Sequence, residues 1–199
     1  MNKPYSQSCE NNKEPILLII KEVLSFKRQL LEIGSGTGQH AIYFASNLPH
    51  INWQTSDLSI NHIGINQWIE EFPSKNLNPP ILFDLNNPTK AQLPEAIDSI
   101  FTANTLHIIS WALVKTFFSF VSANLVTKGV LCIYGPFNYN NEFSSQSNAN
   151  FDIWLKDRDV LSGIRDFEAV LKVANSEGLS LINDYKMPAN NRLLVFIKE

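Results

Sequence analysis

The chain has 199 residues, 44% hydrophobic and 18% charged, which supplies a full apolar core and excludes a disordered, collagen-like or disulfide-stapled polypeptide. Its 16 Lys and Arg against 19 Asp and Glu leave a net charge of −3, so the basic excess that displaces counterions from a nucleic acid is missing. Cys9 and Cys132 cannot build a Cys-rich metal site, and no apolar run is long enough for a signal peptide or membrane span, so the expectation is a soluble, cytoplasmic protein without a metal.

No repeat, low-complexity tract or Gly/Ser/Pro-rich linker divides the sequence, so residues 1–199 read as a single domain behind a polar tail over 1–11. Ile16, Leu17, Ile19, Ile20, Val23 and Leu24 make a helical stripe, with Pro15 just inside its start, where a missing N–H costs little. A strand is expected over 29–33, then a glycine-rich turn and a helix over 38–47. Residues 51–55 read as a second strand, 60–72 as its following helix, 80–84 as a third strand and 98–103 as a fourth, apolar enough to be buried on both faces. Leu113, Phe117, Phe120 and Val121 recur at helical spacing, and 130–134 is the fifth strand. Residues 136–150 are polar and rich in Asn and Ser, which reads as a long loop of the kind that carries function. Phe167, Val170, Leu171 and Ala174 give a last helical face with Asp166 as its N-cap, and runs at 179–185 and 192–197 form an antiparallel hairpin. Strands alternating with helices indicate an α/β fold around an open, mostly parallel sheet.

The most informative segment is Leu31-Glu32-Ile33-Gly34-Ser35-Gly36-Thr37-Gly38-Gln39-His40, where the first strand turns into a helix. Glycines there permit positive φ and close approach of a ligand at the carboxyl edge of the sheet. A dinucleotide fingerprint places its third glycine where this chain has Gln39, which argues against a nicotinamide-dependent oxidoreductase. Asp57, after the second strand, stands where ribose-binding carboxylates sit in open nucleotide folds, although a loop or helix-capping role would also place an Asp there.

The arrangement of Glu32 with Gly34, Gly36 and Gly38 resembles motif I of the class I S-adenosylmethionine-dependent methyltransferases. The resemblance implies a Rossmann-like, mostly parallel seven-stranded sheet of order 3-2-1-4-5-7-6 with helices on both faces, and S-adenosylmethionine as cofactor. It implies that Glu32, the three glycines and Asp57 surround the cofactor, that Asp84 and the backbone N–H of Leu85 face the adenine, and that Asn104 lies by the methionine portion. Thr105 and Leu106 stand where enzymes that methylate base amines or glutamine carry prolines, so a small-molecule acceptor is expected, and no nucleic-acid or membrane partner.

Further segments resemble the methyltransferase-like protein 26 family: Ser35-Gly36-Thr37-Gly38-Gln39-His40-Ala41, Trp53-Gln54-Thr55-Ser56-Asp57, Asn104 with His107, Tyr134-Gly135-Pro136-Phe137, Gly163-Ile164-Arg165-Asp166 and Met187-Pro188-Ala189-Asn190-Asn191. Asn12, His107, Tyr134, Ser147, Asn148 and Asn191 are expected to line one polar mouth suited to an uncharged or zwitterionic substrate. Within it His107 or Tyr134 would take or steer a proton, and Asn12, Asn148, Arg165 and Asn191 are candidate substrate contacts. The tail over 1–11 is expected to close over the cofactor as a lid. A module that binds the cofactor without catalysis remains the alternative, because no obvious catalytic base stands out.

Overall fold

The structure, a computed structural model, describes residues 3–88 and 91–199. The chain divides into two compact units, Met1–Thr102 and Ala103–Glu199.

In the first unit the helix α1 spans Gln7–Val23. Ser6 caps it by accepting the N–H of Cys9 at 3.3 Å, Glu10 lies in its first turn and Lys21 in its last, each favourably placed against the helix dipole. Asn12, Ile16 and Ile20 form its buried stripe at four-residue spacing. The helix therefore begins well before the expected start, and Pro15 sits inside it rather than in its first turn. The expected tail is helical from Gln7 onward; its first two residues, Met1 and Asn2, lie outside the described residues.

Strand β1 (Gln29–Ile33) leads through the glycine turn to α2 (Gln39–Asn47), then β2 (Asn52–Asp57), α3 (Ser59–Glu71), β3 (Leu77–Leu82) and β4 (Ser99–Ala103). These strands run parallel in the order β3-β2-β1-β4, with Ile33 opposite Ser56 and Leu31 opposite both Gln54 and Ile100. Strand β3 starts three residues earlier than expected because Pro79 and Pro80, which lack N–H donors, are tolerated where the strand pairs only with β2. Phe44, Trp53 and Phe101 pack as a ring cluster with centroids 5.5–5.8 Å apart, and His40 stacks on Phe44 at 5.2 Å.

In the second unit α4 (Trp111–Asn124) precedes β5 (Val130–Asn138), α5 (Gln146–Arg158), β6 (Arg165–Asp166), α6 (Phe167–Ser176), β7 (Leu179–Lys186) and β8 (Asn191–Lys198). Their order is β5-β8-β7, antiparallel, while β6 adds a short parallel pair to β5. With β7 and β8 as the sixth and seventh long strands, each unit follows its share of the expected order. The expected loop over 136–150 is corrected: β5 runs on to Asn138, and Ser145 caps a helix that starts at Gln146 by accepting the N–H of Asn148. The sequence pattern missed α5 because its exposed side carries Ile153 and Trp154, leaving little contrast between its faces. The expected hairpin forms, closed by a 3-10 turn at Pro188–Asn190 with the N–H of Met187 bonded to the carbonyl of Asn191.

Asp166 caps α6 by accepting the N–H of Ala169 at 3.1 Å, and its other oxygen accepts the N–H of Asn141 at 2.7 Å. Replacing Asp166 with alanine is expected to lower stability by about 1–2 kcal/mol in urea titration, since a cap and a loop amide lose their acceptor together. No helix among the described residues is long and apolar enough to cross a membrane.

Candidate functional site

The turn after β1 has three glycines in the left-handed region, Gly34 at φ 75°, Gly36 at 58° and Gly38 at 89°. Two of them serve different ends. A side chain at Gly38 would meet the Cα of Ile65 at 3.1 Å, so this glycine lets α2 approach the backbone of α3. At Gly36 a methyl group would meet nothing within 4 Å, so the turn is open there and only its backbone angle demands glycine.

The turn is braced from beneath. Gly34 and Ser35 both donate their N–H groups to the carbonyl of Ser56, at 3.1 and 3.0 Å. The Ser35 hydroxyl donates to Glu32 Oε2 at 2.9 Å and accepts the N–H of Ser56 at 3.1 Å. Trp53 Nε1 donates to the same Glu32 oxygen at 3.0 Å. Glu32 is 2% exposed, and burial pushes its carboxyl up to about 7 against the lowering effect of those two bonds, with the Asp57 charge adding to the rise. Asp57, also buried, accepts the N–H of Gly36 at 2.6 Å on one oxygen and the Leu58 N–H and Asn61 Nδ2, both at 2.7 Å, on the other.

Beyond Asp57 a cavity of about 460 Å³ is lined by Leu58, Ser59, Ile60, Leu82, Asp84, Asn87 and Ala91. Leu58, Ile60 and Leu82 are exposed there, an apolar wall of the kind a flat heterocycle covers. Asp84 Oδ1 accepts the N–H of Asn86 at 2.8 Å and Asn86 Nδ2 at 2.9 Å, and Leu85 is buried beside it.

Gln39, which sequence reasoning used only to argue against a dinucleotide, has a role of its own. Its side chain accepts the N–H of Ser6 at 2.6 Å and donates to the Ser6 carbonyl at 3.3 Å and Glu10 Oε1 at 2.8 Å, tying the start of α1 to the glycine turn. Upstream, Pro4 lies against Gly64, and Trp68 Nε1 donates to the Pro4 carbonyl at 2.7 Å. Asn12 meets His40 Nε2 at 2.6 Å, and burial lowers that imidazole to about 4.

In the second unit Asn104 has φ 58° and donates its N–H to the Tyr134 carbonyl at 2.8 Å. His107 is buried, edge-on to Phe151 at 5.4 Å, with Nδ1 3.5 Å from where a side chain on Gly135 would begin. Burial, helped by the Arg165 charge, lowers it to about 4, so its imidazole is neutral at pH 7. Arg165 is directed at the chain itself: Nε donates to the Leu106 carbonyl at 2.9 Å, and one terminal nitrogen donates to the carbonyls of Ile109 and Leu161. Tyr134 is buried within β5. Asn148 Nδ2 donates to the Asn190 carbonyl at 3.2 Å and Ser144 Oγ at 2.9 Å, while Asn191 Nδ2 donates to the carbonyls of Pro188 and Ala189. Of the expected polar mouth, the unit thus brings Ser147, Asn148 and Asn191 to one edge around the 3-10 turn, with Asn190 Nδ2 donating to Ser147 Oγ at 3.3 Å. Among the described residues no group of three or more His, Cys, Asp or Glu side chains could hold a metal ion.

Solved structures with this fold include a putative O-methyltransferase from Nostoc punctiforme (TM-score 0.80, 14% identity, 94% of this chain and 56% of that one). An O-methyltransferase family 2 protein from Planctomyces limnophilus, in complex with apigenin, is also similar (0.75, 16%, 89% and 52%). PigF with SAH is a third (0.74, 17%, 92% and 55%). The chain spans about half the length of the solved structures it matches, and at this identity the likeness establishes the Rossmann-like α/β fold. Residues 3–198 match the family model described as Protein of unknown function (DUF938), and the chain belongs to that family.

Proposed function

We propose that the protein is an S-adenosylmethionine-dependent methyltransferase acting on a small molecule. The observation that carries the reading is the glycine turn, open at Gly36 and braced by the buried Asp57 carboxylate, with the apolar cavity ending in Asp84 close behind it in the chain. A nucleoside fits this donor set: Asp57 would accept from a ribose hydroxyl, Leu58, Ile60 and Leu82 would cover the adenine, and Asp84 with the Leu85 N–H would read its edge. Glu32, Gly34, Gly36 and Gly38 would hold the amino-acid end, and Asn104 the methionine chain. The resemblance to the methyltransferase-like protein 26 family and the presence of SAH in the structurally similar PigF support the same cofactor.

S-adenosylmethionine, when bound, supplies an activated methyl group, so the protein's own residues have to orient an acceptor and exclude water. Gln39 fastens Ser6 beside the glycine turn and Trp68 holds the Pro4 carbonyl, which supports a covering role for that segment. His107 is a poor proton acceptor when buried and lowered to about 4, so its proposed role is to steer an acceptor through a hydrogen bond rather than to deprotonate it. Tyr134, buried in β5, is proposed for the same steering. Asn148 and Asn191 remain candidate acceptor contacts. Arg165 is the weakest of them, because its guanidinium is engaged by carbonyls, and Asn12 contributes through His40.

The low basicity of His107 also favours a second reading, a module that binds the cofactor without transferring its methyl group. Calorimetry with S-adenosylhomocysteine and with NAD side by side is expected to give binding of the first alone; NAD binding without the thioether nucleoside would overturn the proposal. Labelled methyl groups passing from S-adenosylmethionine into a metabolite pool would separate the enzyme from the module.

A further inference from the structure

We infer that Asn61 is a second ribose-binding residue of the nucleoside site: its carboxamide oxygen, set beside the Asp57 carboxylate, accepts the ribose hydroxyl for which Asp57 has no acceptor left. The inference rests on the methyltransferase reading for the identity of the nucleoside, and both side chains belong to the first unit.

A ribose presents two adjacent hydroxyls, and a carboxylate with its acceptor positions open can take both. Those of Asp57 are largely occupied. Oδ2 accepts the Gly36 N–H at 2.6 Å, while Oδ1 accepts the Leu58 N–H and Asn61 Nδ2, each at 2.7 Å. Since a carboxylate has about four acceptor positions, roughly one is left, on Oδ2. One hydroxyl is served and its neighbour is not.

Asn61 supplies the missing acceptor. A carboxylate only accepts, so the group facing Asp57 Oδ1 has to be the amide nitrogen of Asn61, which fixes which way round the carboxamide sits. The amide oxygen at its other end accepts no hydrogen bond among the described residues. Asn61 is half-buried, and that oxygen is not sealed from solvent. A single hydrogen bond joins the two side chains, which brings the remaining acceptor of each within reach of adjacent hydroxyls.

The placement agrees. Asn61 lies in the first turn of α3, directly after Leu58, Ser59 and Ile60, which line the cavity together with Asp84. That turn is held in place. The Asn61 N–H donates to the Leu58 carbonyl at 2.9 Å, and His62 Nε2 meets the Asp57 carbonyl at 3.0 Å. An acceptor fixed by its helix and by a bond to a charged neighbour loses little freedom when a hydroxyl arrives. The site should therefore prefer a nucleoside with both ribose hydroxyls over either deoxy form.

Calorimetry on the full-length chain tests this with S-adenosylhomocysteine and its 2′-deoxy and 3′-deoxy forms. The wild type is expected to bind each deoxy form about tenfold more weakly than the parent, the loss of one hydrogen bond. Asn61→Ala, an exchange that favours the helix, should bind the parent about tenfold more weakly. It should then bind one deoxy form as well as the parent and still discriminate against the other. Asp57→Ala should show the converse pattern, with the two hydroxyls exchanged. If Asn61 only orients Asp57 or caps the helix, both variants become indifferent to the same hydroxyl, or Asn61→Ala weakens all three ligands by one factor. Either result would overturn the inference, as would parent binding unchanged in Asn61→Ala. A wild type that binds either deoxy form as tightly as the parent would overturn it too, without recourse to any variant. A wild type that binds no S-adenosylhomocysteine sinks the cofactor reading and takes this ligand with it, whereas parent binding with the wrong pattern sinks the Asn61 assignment alone.

Discussion

Asp57→Ala is expected to weaken S-adenosylhomocysteine binding by about 1–3 kcal/mol, roughly 5- to 150-fold, measured by calorimetry. A carboxylate offers about four acceptor positions, and here the N–H groups of Gly36 and Leu58 and the amide of Asn61 take three of them. What remains suits one strong bond to a ribose hydroxyl, made in a buried place where a charged acceptor is worth more than on the surface. The substitution also frees the Gly36 N–H, so part of the loss comes through a slackened turn. Asp57→Asn separates the two parts. It retains the shape and one acceptor oxygen, yet sets its amide N–H against the backbone N–H of Gly36 or of Leu58, so its affinity should fall between those of alanine and wild type. Unaltered binding in Asp57→Ala would mean that the ribose is held elsewhere.

The parts of the molecule that could be read from sequence are those in which a local pattern carries the whole physical demand. Three glycines at alternate positions after an apolar strand announce positive φ angles, and all three adopt them. Asp166 ahead of an apolar helical face announces a cap, and it is one. What escaped was decided by partners distant in the chain. Gln39 looked like a missing glycine, but it clamps Ser6, a residue 33 positions away. Arg165 reads in the sequence as a candidate substrate contact; in the structure its guanidinium gathers the carbonyls of Leu106, Ile109 and Leu161, a grouping that only the folded loop creates.

Glu32→Gln should change how stability depends on pH. Wild-type Glu32 is raised from 4.5 to about 7 by burial, so between those values the folded chain holds a proton that the unfolded chain has released. Its contribution is therefore fully present below pH 4.5 and is lost as pH rises through 7, a swing of about 3 kcal/mol for a shift of that size. His40 and His107 act in the opposite sense. Each is lowered from 6.5 to about 4, so stability is lost as pH falls from 6.5 towards 4 and is constant above. In the lower window two histidines outweigh one carboxyl and stability climbs with pH; above 6.5 the glutamate acts without them and stability declines towards pH 8. Glutamine keeps an acceptor oxygen for Ser35 and Trp53 but cannot ionise. Urea titrations at pH 5 and pH 8 should accordingly show the variant gaining on the wild type at the higher pH. A difference between the two proteins that stays constant from pH 5 to pH 8 would mean that Glu32 ionises at an ordinary pH, and that the charge beneath the glycine turn is in place whether or not a cationic ligand is bound.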